Sequence, residues 1–160
     1  MGKLNTALSE REGNITQRVA DLLGGFRVLH RRLNNPIEAH RLLSDGLPGA
    51  ALTHLVDRLH VLHNPVSLEK ATGMSLRTFQ RRRDATDKPL SSEQSARTWK
   101  FAEILAEATE VFGSQAEAEA WMERPAIGLE QHRPIDLLTT PAGVGLVEDF
   151  LRRLEFGVYT

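Results

Sequence analysis

The stretch that decides the fold runs from residue 67 to residue 83 and reads SLEKATGMSLRTFQRRR. Ser67 and Ser75 are suitable N-caps for two short helices, because a serine hydroxyl accepts a hydrogen bond from the first turn of a helix. Gly73 lies between these helices and can take the positive φ that a tight interhelical turn requires. The stretch therefore predicts a helix-turn-helix.

The second of these helices carries the candidate contacts to DNA. We expect it to bury Leu76 and Phe79, which turns the rest of its surface outward. Arginine can pair with guanine and glutamine with adenine, while hydroxyl and ammonium groups reach phosphates. The alternative is an ordinary amphipathic helix whose polar face is rich in arginine. The candidate DNA-binding residues are Ser75, Arg77, Thr78, Gln80, Arg81, Arg82, Arg83 and Lys88, with Lys70 as a further phosphate contact.

Charge is distributed unevenly along the 160-residue chain, although the formal net charge is only −1. Residues 66–101 hold eight basic and four acidic side chains, whereas residues 102–160 hold four basic and eleven acidic ones. A basic middle and an acidic end suggest two binding surfaces with different partners. Because a net charge near zero disfavours tight non-specific DNA binding by a monomer, we expect a homodimer that reads two half-sites.

Several classes of protein are excluded by composition. The chain has no cysteine, which excludes disulfides, zinc–thiolate sites and thiol catalysis and fits the reducing cytoplasm. Its apolar runs are too short to span a membrane. His60 and His63 lack a carboxylate that would complete a metal site, and no catalytic motif has supporting context. We therefore expect neither a bound metal nor a cofactor.

The spacing of apolar residues predicts an all-α protein. The stripe from Ile15 to Leu33 recurs every three or four residues and is interrupted at Gly24-Gly25. This stripe is a candidate dimerisation surface, and it could equally fold back onto the core of its own chain. The expected parts are an N-terminal helical extension (1–44), a helix-turn-helix DNA-binding domain (45–107) and a small helical C-terminal domain (108–160).

The C-terminal part contains three motifs in a specific order. Residues 111–130 read VFGSQAEAEAWMERPAIGLE, residues 133–143 read RPIDLLTTPAG, and residues 147–160 read VEDFLRRLEFGVYT. In this order the motifs resemble the toxin-binding domain of the Xre/MbcA/ParS family of antitoxins. One departure is Glu130, which stands where the family often has a second glycine. Residues 73–82, GMSLRTFQRR, resemble the helix-turn-helix of the same family.

This resemblance implies a function. The partner would be a cognate toxin of the RES, MbcT or ParT type, with a fold related to ADP-ribosyltransferases and a requirement for NAD⁺. The C-terminal region would cover the NAD⁺ pocket of the toxin, and the complex would repress its own operon by binding operator DNA upstream. The chain would itself lack enzymatic activity and form a homodimer and a hetero-oligomer with the toxin.

The candidate toxin-binding residues lie in the second and third motifs. We expect Trp121, Leu129, Leu137, Leu138 and Leu151 to form the domain core. The tail, in contrast, follows the helix-ending Gly157 and carries an aromatic residue, which suits an anchor in the cleft of a partner; its terminal carboxylate would compete with NAD⁺. The alternative is a tail docked on its own domain. The candidate residues are Arg133, Asp136, Arg153, Glu155, Val158, Tyr159 and Thr160.

Two other functions remain open from the sequence. The first is a stand-alone transcriptional regulator whose C-terminal domain serves dimerisation or another interaction. The second is an interaction protein whose helix-turn-helix no longer binds DNA. A toxin that co-purifies with the chain would separate the antitoxin from the first alternative, and a gel shift would separate it from the second.

Overall fold

The computed structural model describes residues 2–85 and 87–157. Apart from two isolated β-bridges, Pro48 with Pro89 and Ala126 with His132, the regular elements in these ranges are helices, which confirms the all-α prediction. Two short 3₁₀ helices cover His60–His63 and Ile127–Leu129. Over the described ranges, no helix has the length and apolarity that crossing a membrane requires. The α-helices are α1 (Gly2–Leu22), α2 (Phe26–Leu29), α3 (Pro36–Asp45), α4 (Gly49–Arg58), α5 (Pro65–Thr72), α6 (Leu76–Arg83), α7 (Ser92–Phe112), α8 (Gln115–Met122), α9 (Pro134–Leu137) and α10 (Pro141–Glu155).

Helix α7 is the central element, because it contacts α1, α3, α5, α8 and α10. Ser91 and Gln94 form a capping box that fixes its first turn. Along its length it buries Phe101, Ile104 and Leu105 almost completely. The beginning of α7 packs against the helix-turn-helix and its end against the C-terminal helices, so one continuous helix supports both halves.

The N-terminal stripe folds back onto its own chain. Ile15, Val19 and Leu23 are buried, and α1 packs along α7. Leu29 and Leu33 belong to the same core. The buried part of the stripe therefore cannot serve as a surface for a second copy, and among the two alternatives given by the sequence the structure shows the folded-back one.

The helix-turn-helix is formed by α5 and α6. Gly73 ends α5 in the left-handed conformation with φ 75°, and the Ser75 hydroxyl accepts a hydrogen bond from the Thr78 amide, as predicted. Ser67, however, is wrong as an N-cap. Asn64 caps α5 and Pro65 fills its first position, because proline suits the first turn of a helix.

The inner face of α6 also differs from the prediction. Phe79 is buried, but Leu76 is 39% exposed. Leu76 lies in the first turn of α6, where the preceding turn already supplies Met74 as the buried apolar side chain. The expectation that Leu76 belongs to the core is therefore wrong.

Candidate functional site

The outward face of α6 presents three long polar side chains. Arg77, Gln80 and Arg81 are exposed, and none of them forms a side-chain hydrogen bond or ion pair with another residue in the described part of the chain. Their spacing of three and four residues places them on one side of the helix. Thr78 is exposed beside them, while the hydroxyl of Ser75 is engaged in capping α6. This face can therefore approach a groove of DNA without breaking existing contacts.

The last two arginines of α6 are engaged within the chain. Arg82 donates a hydrogen bond of 2.9 Å to the carbonyl oxygen of Pro89. Arg83 lies 2.7 Å from a carboxylate oxygen of Asp57 in α4, and its guanidinium lies 5.8 Å from the centre of the Phe79 ring. These contacts attach the end of α6 to its neighbours, which distinguishes Arg82 and Arg83 from the other candidates. Lys88 is exposed in the loop that follows α6.

Arg97 holds the turn of the helix-turn-helix, a role that sequence analysis missed. Its guanidinium donates a hydrogen bond of 2.6 Å to the carbonyl oxygen of Lys70, in the last turn of α5. A Cβ added to Gly73 would lie 2.8 Å from the same guanidinium, so a side chain there would have to displace Arg97 as well as adopt a positive φ. The sequence shows Arg97 only as a basic residue on a later helix. It could not be linked to the turn, because α5 and α7 are far apart in sequence.

The C-terminal domain is built around Trp121. This side chain is buried and lies between two rings: Phe112, at 5.2 Å between ring centres, and Phe150, at 6.1 Å and nearly parallel. Stacked and tilted aromatic pairs of this kind add to the stabilisation that burial gives. Trp121, Leu129, Leu138 and Leu151 are all buried as predicted, whereas Leu137 is only partly buried.

Two candidate toxin-binding residues bind each other. Arg133 donates two hydrogen bonds, of 2.8 and 2.9 Å, to the carboxylate of Asp136. Lys70 of α5 lies 2.8 Å from the same carboxylate. The hydrogen bonds from Arg133, together with the neighbouring Lys70, lower the pKa of Asp136 to about 2. The pair therefore stabilises the junction between α9 and the helix-turn-helix.

The other candidates in this domain lie on α10 and beyond it. Glu155 forms an ion pair with Arg11 of α1, and Arg153 is exposed. The remaining candidates, Val158, Tyr159 and Thr160, lie outside the residues that the structure describes.

A groove beside α10 has a volume of about 210 Å³, and we call it the α10 groove. Leu146, which lines the groove, is 56% exposed, and Ile127, which directly precedes the lining residue Gly128 in the chain, is 86% exposed. Sequence analysis missed both, although Leu146 is apolar and falls outside the buried stripe of α10, which is a usable signal. The groove is lined by Gly128, Leu129, Glu130, His132, Leu137, Leu146, Asp149, Phe150 and Arg153.

Three carboxylates meet where α10 packs on α7. Glu103, Glu107 and Glu148 bring oxygen atoms within 4.8 Å of one another, beside a cavity of about 520 Å³ under α1 and α3. Lys100 lies 2.8 Å from Glu103 and partly compensates this charge. Burial, reinforced by the other two carboxylates, raises the pKa of Glu107 to about 7. The cluster therefore holds a proton up to neutral pH, which the sequence did not indicate.

The histidine pair that sequence analysis considered for a metal is arranged differently. The rings of His60 and His63 meet edge to face with 5.5 Å between their centres. The Nε2 atom of His63 lies 3.0 Å from the carbonyl oxygen of Val56, so this nitrogen has a backbone partner. Both residues are exposed, and their rings pack against each other.

Comparison with known proteins assigns a description to each half of the chain. Residues 38–103 match the family model of the antitoxin Xre-like helix-turn-helix domain, and residues 107–157 match the antitoxin Xre/MbcA/ParS C-terminal toxin-binding domain. An Antitoxin Xre of Yersinia enterocolitica is 31% identical over 137 residues, which cover 84% of this chain and 92% of the relative. An Antitoxin Xre of Pseudomonas putida is 32% identical over an alignment that covers 78% of this chain and 76% of the relative. A Prs ADP-ribosylating antitoxin of a Sphingobium species is 23% identical, with 99% of each chain covered.

Proposed function

Because the chain belongs to the Xre/MbcA/ParS family of antitoxins, we propose that it neutralises a toxin of the RES type, which consumes NAD⁺. Its C-terminal region covers the active site of the toxin, and its helix-turn-helix represses the operon that encodes the pair. The chain acts as a cytoplasmic homodimer and has no catalytic activity of its own.

One observation carries this proposal: both family domains occur in one chain, in the order 38–103 and 107–157. Helix α7 runs through the boundary between them and packs against both. The Sphingobium relative bears a name that includes ADP-ribosylation, a reaction in which NAD⁺ donates the ADP-ribose group. That chemistry supports an NAD⁺-dependent toxin as the partner of this chain.

The repressor role is supported by the outward face of α6. Arg77, Gln80 and Arg81 are exposed and have the hydrogen-bonding groups that read base edges in the major groove. Lys88 follows at the end of the helix and suits a phosphate contact. A homodimer places two copies of α6 about one helical turn of DNA apart, which predicts an operator with two related half-sites.

The tail residues Val158, Tyr159 and Thr160 supply the anchor in the toxin cleft. An aromatic side chain that fills a pocket of the partner contributes more binding energy than most interface residues. Removal of these three residues is expected to abolish neutralisation while DNA binding persists. Full neutralisation by the shortened chain would refute the anchor.

Co-expression tests the proposal as a whole. The toxin encoded by the adjacent gene is induced in a host strain with or without this chain, and growth is recorded together with a reporter driven by the upstream region. We expect the chain to restore growth and to reduce reporter expression. Repression without restored growth would instead support the stand-alone regulator, and restored growth without repression would support an interaction protein that does not bind DNA.

A further inference from the structure

We propose that the toxin docks on the α10 groove and contacts the exposed lining residue Leu146, together with the exposed Ile127 that adjoins Gly128 in the chain. This inference rests on the proposed function and specifies the surface that performs it. It shifts the main contact away from Arg133 and Asp136, whose charged groups already satisfy each other and Lys70.

The first argument is exposure of apolar side chains. Leu146 is 56% exposed and lines the groove, whose other apolar lining residues are Leu129, Leu137 and Phe150. Ile127, which is next to Gly128 in the chain, is 86% exposed. An apolar patch with a polar rim is characteristic of surfaces that bind other proteins. Since the groove lies entirely within residues 107–157, the matched toxin-binding domain, we assign it to the toxin and not to a second copy of this chain.

The second argument is that the groove is preformed. Phe150 stacks on Trp121, and Gly128 lies against the Phe150 ring so closely that a Cβ there would overlap it. The turn that presents Ile127 is closed by a hydrogen bond of 3.1 Å from the Ala126 amide to the carbonyl oxygen of His132. A rigid surface loses less conformational entropy when a partner binds.

The backbone of this turn supports the same conclusion. Glu130 and Gln131 are consecutive non-glycine residues with positive φ, of 52° and 65°. Each left-handed residue of this kind costs about 1 kcal/mol or more, so the surrounding structure must compensate for the strain. Strained backbone is concentrated at sites that present groups to ligands. Here the two strained residues lie three and four positions after Ile127, and Glu130 itself lines the groove.

The rim of the groove indicates what chemistry the docking segment carries. Arg153 and Glu130 are both exposed at the rim, whereas the neighbouring Asp149 is paired with Arg152 at 3.0 Å. An apolar floor flanked by an arginine and a glutamate favours a segment with one or two apolar side chains between an acidic and a basic group. We therefore expect an apolar segment of the toxin with flanking charges of both signs in this groove.

The experiment compares three purified full-length variants with the wild type. Leu146→Glu places a charge in the groove and Ile127→Glu places one beside the groove residue Gly128, whereas Ile37→Glu places one on α3, where Ile37 is 61% exposed. Affinity for the purified toxin of the adjacent gene is measured by calorimetry, oligomeric state by sedimentation, and folding by thermal denaturation. Both groove variants are expected to lose at least about 30-fold in affinity, a hot-spot effect, while Ile37→Glu changes it by less than about threefold.

The outcomes separate this inference from the proposed function. If the wild type does not bind the toxin, the proposed function fails and this inference with it. If the wild type binds and both groove variants bind equally well, the groove assignment is overturned while the proposed function stands. If the groove variants change only the oligomeric state of the chain alone, the groove is a self-association surface and the assignment is likewise overturned.

Discussion

The ammonium group of Lys70 lies 2.8 Å from the carboxylate of Asp136, and this contact bonds the first helix of the helix-turn-helix to the C-terminal domain. Two further contacts cross the same boundary. The Ser67 hydroxyl donates to Glu123 at 3.1 Å, and the Val61 amide donates to a side-chain oxygen of Glu119 at 2.9 Å. The DNA-binding and toxin-binding halves are therefore packed together through buried and half-buried polar groups.

Replacing the central carboxylate tests this junction. Asp136→Asn removes the ion pairs with Arg133 and Lys70 and is expected to lower the free energy of unfolding by about 1–2 kcal/mol, or Tm by about 3–6 °C, at pH 7. Because the folded-state pKa of Asp136 is lowered to about 2, its contribution is complete above its unfolded pKa near 4 and is lost as pH falls through 2. The difference in Tm should therefore vanish in strong acid.

The matched control for this junction is Asp149→Asn. Asp149 pairs with Arg152 in the same domain, but both side chains are about 60% exposed, and exposed pairs contribute little. Thermal denaturation at pH 7 should show a change of less than about 0.5 kcal/mol for this variant. Equal Tm values for Asp136→Asn and the wild type would contradict the assigned role.

The carboxylate cluster predicts a pH dependence of the opposite sign. Since the pKa of Glu107 is raised to about 7, the folded state binds a proton that the unfolded state releases near pH 4.5. The contribution of Glu107 to the free energy of unfolding is therefore complete below pH 4.5, and it is lost as pH rises through 7. Glu107→Gln removes the decline and should be more stable than the wild type at pH 8 by about 1–2 kcal/mol.

The measurement is Tm at a series of pH values for Glu107→Gln, the wild type and a control. Glu117→Gln serves as the control because Glu117 is exposed on α8. The neighbours that shift the pKa of Glu107 are common to all three proteins. Glu103 of α7 and Glu148 of α10 raise this pKa, whereas Lys100 of α7 and Arg11 of α1 lower it. Parallel curves for all three proteins between pH 5 and pH 8 would show that the cluster holds no proton.

Adjacent arginines of α6 should behave differently. Arg81→Ala is expected to weaken operator binding by about 1–3 kcal/mol, because its exposed side chain is available to a base or phosphate. Arg82→Ala removes the hydrogen bond to Pro89 and should lower Tm. Gel shifts at several salt concentrations, together with melting curves, separate these effects, and exposed Arg124 on the C-terminal domain provides a charge-matched control. Unchanged operator binding by Arg81→Ala would exclude this residue from the interface.

Two glycines at the start of α10 provide a matched pair for packing. A Cβ on Gly143 would overlap the carbonyl oxygen of Leu137, which is backbone and cannot rotate away, so Gly143→Ala should cost about 1–3 kcal/mol. Nothing lies within 4 Å of a Cβ on Gly145, and alanine suits a helix better than glycine, so Gly145→Ala should add about 0.5–1 kcal/mol. Chemical denaturation measures both. A similar loss for the two variants would mean that α10 does not pack on α9 as described.

Local features were predictable from the sequence, and contacts between distant residues were not. The cap at Ser75 and the turn at Gly73 depend on a few neighbouring residues, so the helix-turn-helix could be predicted. Nothing in the pattern of α6 distinguishes Arg81 from Arg82, because the partner Pro89 belongs to a loop whose path depends on tertiary packing. For the same reason the sequence could not show that the carboxylate of Asp136 pairs with Lys70 of α5 as well as with Arg133.

The central claim is that this chain inhibits a toxin by covering its active site. The most direct measurement is NAD⁺ consumption by the purified toxin of the adjacent gene, recorded while purified full-length chain is added. We predict that consumption falls to the level of a sample without toxin once the chain is in molar excess. Undiminished consumption in the presence of excess folded chain would contradict the account.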